Sequence, residues 1–262
     1  IAISQSGETI DTLEALKFAR KCGSPSISIV NVRGASIARA SEYVIYTNAG
    51  PEIAVASTKA YTTQLAVLYL ITARMALSRG IWDGEKAKAF MGELLRVPEV
   101  IEKVLGTKEE IHRLAGCIIN ARDVFMIGRG LDYSILLEGS LKLKEVSYIH
   151  SEAYPSGELK HGAIALIENG VTVVSVLTNR MLVEKSVSNL LEVVTRGAKT
   201  FIVTNQELNH DFDEVITIPK TSTLISPVLS VVPLQILAYY ISKEKGLDVD
   251  KPRNLAKSVT VE

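Results

Sequence analysis

Short β-branched and apolar runs alternate with longer amphipathic ones along nearly the whole chain, and that alternation constrains the fold most. A strand followed by a helix and then another strand returns parallel to the first, so the pattern predicts an α/β protein on parallel sheets. Strands are expected at Ile1 and over Ser26–Val32, Tyr43–Thr47, Val124–Ile127, Val171–Leu177, Thr200–Thr204 and Glu214–Ile218. Helices are expected over Ile10–Cys22, Ile53–Ser78, Lys86–Leu105, Ser134–Tyr148, Met181–Arg196 and Leu234–Lys245. The stretch from Lys86 to Leu114 is charged and amphipathic without a strand signal, and reads as helices joining two domains.

The two halves line up. The strand at Ile1 matches that at Val171, Ser26–Val32 matches Thr200–Thr204, Tyr43–Thr47 matches Glu214–Ile218, and each half closes on a long apolar helix. The second half carries an extra opening unit: the strand Val124–Ile127, the turn Gly128-Arg129-Gly130 and the helix Ser134–Tyr148. If the halves are repeats, roughly forty to fifty residues of the first are missing, so the chain is expected to be a fragment of a longer protein.

Lys plus Arg and Asp plus Glu both total 29, and no basic patch or charge block points to nucleic acid or an anionic membrane. Thr221 to Ser242 is free of charge, but Pro227, Pro233 and its serines make it a poor membrane span; a helix buried in a core or subunit contact is expected. Cys22 and Cys117 match no metal spacing, no second His or Cys stands at ligand spacing, and no signal peptide is visible. A cytoplasmic protein without metal or other cofactor is expected.

Four places carry chemistry. Ile1 to Thr9 is a strand running into a polar turn and a helix start, where unpaired backbone N–H groups and the helix dipole favour an anion. Ser4, Gln5, Ser6 and Thr9 add neutral donors there, which suits a phosphate bound without counter-charges; an ordinary N-cap is the plainer alternative. Glu138, Lys142 and Glu145 fall on one helix face, flanked by Ile135 and Val146 on one side and Leu137 and Leu141 on the other. Charges bordered by apolar groups acquire shifted proton affinities suited to acid–base work, unless the row is simply a solvated set of ion pairs. His161, in the loop Gly157–Gly162, is placed to donate a proton to a ring oxygen, although lone loop histidines are commonly just solvated. The tail from Asp248 lacks the composition of disorder and could fold over a site to present Lys257 as an amine for a carbonyl.

These residues resemble the isomerase half of the glutamine:fructose-6-phosphate amidotransferases, which consists of two sugar isomerase (SIS) domains. The resemblance rests on Ile3–Thr9, Asn48–Ile53 with Ala56–Lys59, Leu141–His150, Gly157–Gly162 and Pro252–Glu262, and it covers essentially the whole chain. The first motif is shared by many SIS proteins; the Lys-Leu-Lys-Glu helix and the terminal motif are more specific. The resemblance implies two three-layer, flavodoxin-like SIS domains in tandem, with no opening unit in the first. It divides the chain into residues 1–80, residues 81–246 with the joining helices, and a tail of residues 247–262 that closes the active site.

By the same resemblance, Ser4, Gln5, Ser6 and Thr9 hold the phosphate of fructose 6-phosphate, and Val55, Ser57 and Ala256 line the sugar site. Lys257 forms a Schiff base with the C2 carbonyl, Glu145 moves a proton from C1 to C2, and Lys142 assists near O1. His161 opens the ring from the neighbouring subunit of a homodimer. A glutaminase domain supplies ammonia for glucosamine 6-phosphate in the full-length family members. That domain and its N-terminal cysteine are not among these residues, and neither Cys22 nor Cys117 sits where the cysteine would, so the chain by itself is expected not to hydrolyse glutamine. Ala163 also stands where the family commonly has proline. Two other readings share parts of the site. A stand-alone SIS deaminase or isomerase of amino-sugar phosphates needs no glutaminase, and a sugar-phosphate-sensing regulator needs neither Glu145 nor Lys257.

Overall fold

The computed structural model describes residues 1–257. The motif end Ser258–Glu262 lies outside the described residues. The described residues form two compact units, residues 1–94 with 250–257, and residues 95–249.

The first unit runs β1 (Ala2–Ser4), α1 (Ile10–Lys21), β2 (Ile27–Val30), α2 (Ser36–Ala40), β3 (Tyr43–Tyr46), α3 (Lys59–Ser78) and α4 (Gly84–Leu95). Its three strands are parallel in the order β1-β2-β3, with Ala2 opposite Ser28 and Ile27 opposite Tyr43. Val30, Ile37, Ala38 and Leu16 make a small core between β2, α1 and α2. Helix α3 starts at Lys59 rather than at Ile53. The carboxylate of Glu52 accepts the N–H of Ala60 at 2.8 Å, so an acceptor from an irregular stretch caps the helix and leaves residues 53–58 outside it.

The second unit runs α5 (Val97–Leu105), α6 (Lys108–Ile118), β4 (Asp123–Gly128), α7 (Leu131–Ser147), β5 (His150–Pro155), β6 (Thr172–Leu177), α8 (Val183–Val194), β7 (Lys199–Thr204), β8 (Glu214–Thr217) and α9 (Ser226–Glu244). All five strands are parallel in the order β5-β4-β6-β7-β8, so the connections leave β4 in opposite directions and a topological switch point lies between β4 and β6. The inner strands are buried on both faces, which is why they read as continuous apolar runs. Phe125, Ile127, Val173, Leu177 and Ile202 join Val187, Leu190 and Val193 of α8 in one core, while α7 and α9 pack on each other and on the sheet.

The elements differ from the expected pattern in three places. Of the joining helices, α4 belongs to the first compact unit, and α5 and α6 pack against α9 within the second. Helix α9 begins at Ser226, not Leu234; Pro227 occupies its first turn and Pro233 is tolerated inside, because Leu229, Val231, Leu234, Leu237 and Ile241 are all almost fully buried and offset the lost hydrogen bond. Strand β5 occupies a stretch to which no element was assigned from the sequence. It is an edge strand paired with β4 alone, so His150 and Glu152 can face solvent and hide the strand signal.

Candidate functional site

The polar turn after β1 is the best-defined feature of the first unit. Gly7 sits at φ +69°, and a Cβ there would stand 2.5 Å from the Cβ of Ala35, so only glycine permits the turn. Its carbonyl accepts the N–H of Ile37 at 2.9 Å, and the carbonyl of Gln5 accepts that of Asn31 at 3.2 Å. Two of the turn's own backbone N–H groups are taken up by its hydroxyls. Gly7 N–H donates to Ser4 Oγ at 3.0 Å and Glu8 N–H to Ser6 Oγ at 3.2 Å. Ser4 Oγ also lies 3.1 Å from Thr9 Oγ1, an interaction that uses one of their two hydroxyl protons. Ser4 is buried and Thr9 makes no cap of its own, so this pair shapes the turn while Gln5 and Ser6 face outward.

Gln5 and Ser6 line an open cavity of about 570 Å³ together with Asn31, Arg33, Asn48 and Lys257. Asn31 organises its rim. Its Nδ2 donates to Gly50 O at 2.7 Å, and its Oδ1 accepts from Thr47 Oγ1 at 3.0 Å and Ala49 N–H at 2.9 Å. The chain returns to this cavity at its end: Val55 N–H donates to Asp250 O at 2.9 Å, and the Lys257 ammonium donates to the carbonyl of Ala54. Val55 and Ser57 are half-buried in the segment so bridged, and Ala256 is exposed beside Lys257. The cavity is lined by charges of both signs: Lys257, Arg33, whose guanidinium stacks 4.7 Å over Tyr46, and the Glu52 carboxylate.

The second unit holds the remaining residues. On α7, Lys142 is buried between two carboxylates, Glu138 at 3.4 Å and Glu145 at 2.5 Å, the latter close but poorly aligned for a hydrogen bond. The row is therefore no solvated stripe. Burial holds the Glu138 carboxyl above the usual range; Lys142 opposes that shift and Glu145 adds to it. Of the flanking residues, Ile135 and Val146 are buried, whereas Leu137 and Leu141 are exposed. His161 ends the short 3₁₀ turn Leu159–His161 and is exposed, while Leu159 beneath it is buried.

A further polar cluster lies where β6 ends. Asp132, 3% exposed in the first turn of α7, accepts Thr178 N–H at 3.0 Å, Asn179 N–H at 3.3 Å and the Thr178 hydroxyl. Burial raises its carboxyl above the usual range, against the pull of these hydrogen bonds. Among the described residues no group of three or more His, Cys, Asp or Glu could hold a metal, and no helix is long and apolar enough to cross a membrane.

The SIS domain family matches residues 1–74 and 117–242. The chain belongs to that family. Within it, the chain is similar over its whole length to the glutamine–fructose-6-phosphate aminotransferase (isomerizing) of Caldanaerobacter subterraneus subsp. tengcongensis at 55% identity, and to that of Clostridium tetani at 53%. It spans 44% of the length of each. Its structure resembles the C-terminal domain of the glucosamine-fructose-6-phosphate aminotransferase of Francisella tularensis, with a TM-score of 0.92 and 40% identity over 95% of this chain and 72% of that one.

In this SIS chain the sequence reading named the polar turn, the α7 stripe and the terminal amine. It missed Asn31, Arg33 and Asp132. A lone Asn, Arg or Asp gives no spacing signal when its partners lie far along the chain, as Asp132 does from Thr178, 46 residues away.

Proposed function

We propose that the chain is the isomerase part of a glutamine–fructose-6-phosphate aminotransferase, taking fructose 6-phosphate and ammonia to glucosamine 6-phosphate. The observation that carries this reading is the shared cavity of Lys257, Gln5 and Ser6, which sets an amine beside the hydroxyl and amide donors of the turn. Gln5 and Ser6 reach the phosphate from the turn that Ser4 and Thr9 shape, with Val55, Ser57 and Ala256 along the sugar. His161, from the neighbouring subunit of a homodimer, protonates the ring oxygen as the ring opens.

The Lys257 amine adds to the C2 carbonyl and water leaves, giving an imine. Ammonia then displaces Lys257 and leaves C2=NH. Glu145 takes a proton from C1 and returns it to C2, while the O1 proton passes to nitrogen with Lys142 beside it. The product carries an amine at C2 and an aldehyde at C1, and no atom is lost in this last step. Buried Lys142, 2.5 Å from Glu145, supports the assignment of both side chains to this one step. The full-length protein draws its ammonia from a glutaminase domain and works in the cytoplasm.

The test follows glucosamine 6-phosphate formed from fructose 6-phosphate and ammonia by the full-length protein. Lys257→Ala and Glu145→Gln are each expected to lower kcat by about 10²–10⁴-fold with an unchanged melting temperature. Parental rates in either variant remove the assigned roles. A protein that binds fructose 6-phosphate without converting it is a sensor.

A further inference from the structure

The loop that carries His161 is fastened at its beginning by a residue that the reaction scheme does not use. Ser156 N–H donates to Gly128 O at 2.8 Å, which ties the end of β5 to the turn Gly128-Arg129-Gly130. The next residue, Gly157, lies flat against the Arg129 guanidinium: a Cβ on it would stand 3.1 and 3.5 Å from the two terminal nitrogens and 3.6 Å from Cζ. Arg129 Nη2 donates to Oδ1 of Asn189 at 2.6 Å, and Asn189 is buried on α8. Asn189 Nδ2 in turn donates to Glu192 Oε1 at 3.3 Å, and that carboxylate lies 4.0 Å from the ammonium of Lys160, the neighbour of His161. The guanidinium thus covers the loop's first glycine, and its hydrogen-bond chain ends at Glu192, which faces the ammonium of Lys160. Leu159, between the two, is buried in the core with Val187 and Leu190 of the same helix.

We infer that Arg129 is a positioning residue that clamps the Gly157–Gly162 loop and so sets where the His161 ring stands. The planar, forked guanidinium can stack on a glycine and donate sideways to Asn189 at once, which an ammonium cannot. The partly exposed Lys160–Glu192 pair adds little, so the clamp is the Arg129–Asn189 bond and the face on Gly157. The inference rests on the reading that His161 opens the sugar ring.

The experiment compares two substrates of the full-length protein: fructose 6-phosphate, whose ring must open, and 5-deoxyfructose 6-phosphate, which lacks the hydroxyl needed to close a furanose. Arg129→Met is expected to lower kcat on fructose 6-phosphate by about 10²-fold, the cost of a misplaced group, while the rate on the open-chain analogue stays within about twofold. Gly157→Ala, which displaces the guanidinium with one methyl group, is expected to show the same selectivity more weakly and covers the case in which Arg129→Met does not fold. An equal fall on both substrates makes Arg129 merely structural and overturns the inference, as does an unchanged rate on both. If His161→Asn turns over fructose 6-phosphate at the parental rate, the ring-opening reading fails first and the clamp falls with it.

Discussion

The turns after β1 and β6 occupy matching places in the two units, each at the end of a strand that begins a parallel three-strand run, and they satisfy their backbone donors by opposite chemistry. After β1, the N–H groups of Gly7 and Glu8 are accepted by the hydroxyls of Ser4 and Ser6. After β6, those of Thr178 and Asn179 are accepted by the carboxylate of Asp132. A hydroxyl that accepts a hydrogen bond keeps a proton to donate onward; an ionised carboxylate has none. The first turn relays donor character into a cavity, and the second ends it inside the protein.

Asp132→Ala should have the largest effect. It leaves the buried Thr178 N–H and the half-buried Asn179 N–H without an acceptor, while the Thr178 hydroxyl keeps Ser226 as a partner, at about 3 kcal/mol of stability by urea unfolding; a loss no greater than that of Ser4→Ala breaks the contrast. Next, Ser6→Asp gives the first turn the chemistry of the second, and the KM for fructose 6-phosphate should rise by about 10²-fold, because a carboxylate neither donates to a phosphate nor tolerates its charge. Ser6→Ala removes one donor without adding charge and should raise KM about tenfold, about 1.4 kcal/mol, with an unmoved pH profile; an unchanged KM detaches Ser6 from the phosphate.

The smallest effect is a slope. Because burial holds the Asp132 carboxyl above the usual range, the folded state keeps that proton to higher pH than the unfolded chain does. Its contribution is fully present at low pH and is lost as pH rises from the ordinary carboxylate range through the raised folded value. Asp132→Asn should flatten that decline in urea titrations across acidic pH, and a slope equal to the parent's removes Asp132 as its source.

Much of this was legible in the sequence, for identifiable reasons. Inner strands such as Thr172–Leu177 are buried on both faces and must be apolar, so they announce themselves. The stripe Glu138, Lys142 and Glu145 was legible because a helix brings residues three and four apart onto one face. The edge strand His150–Pro155 was not, since one covered edge asks little of its side chains.

The sequence alone determined the parallel α/β class, the turn at Ser4–Thr9 and the charged row on one face of a helix, because these depend on local periodicity and on residue types that act close to where they stand. Only the tertiary structure decided that Arg33 and Lys257 share a cavity with Gln5, that Asp132 meets Thr178 across 46 residues, and that Arg129 meets Asn189 across 60. Those outcomes depend on which distant side chains the packing makes neighbours, and no spacing along the chain encodes a contact that folding creates.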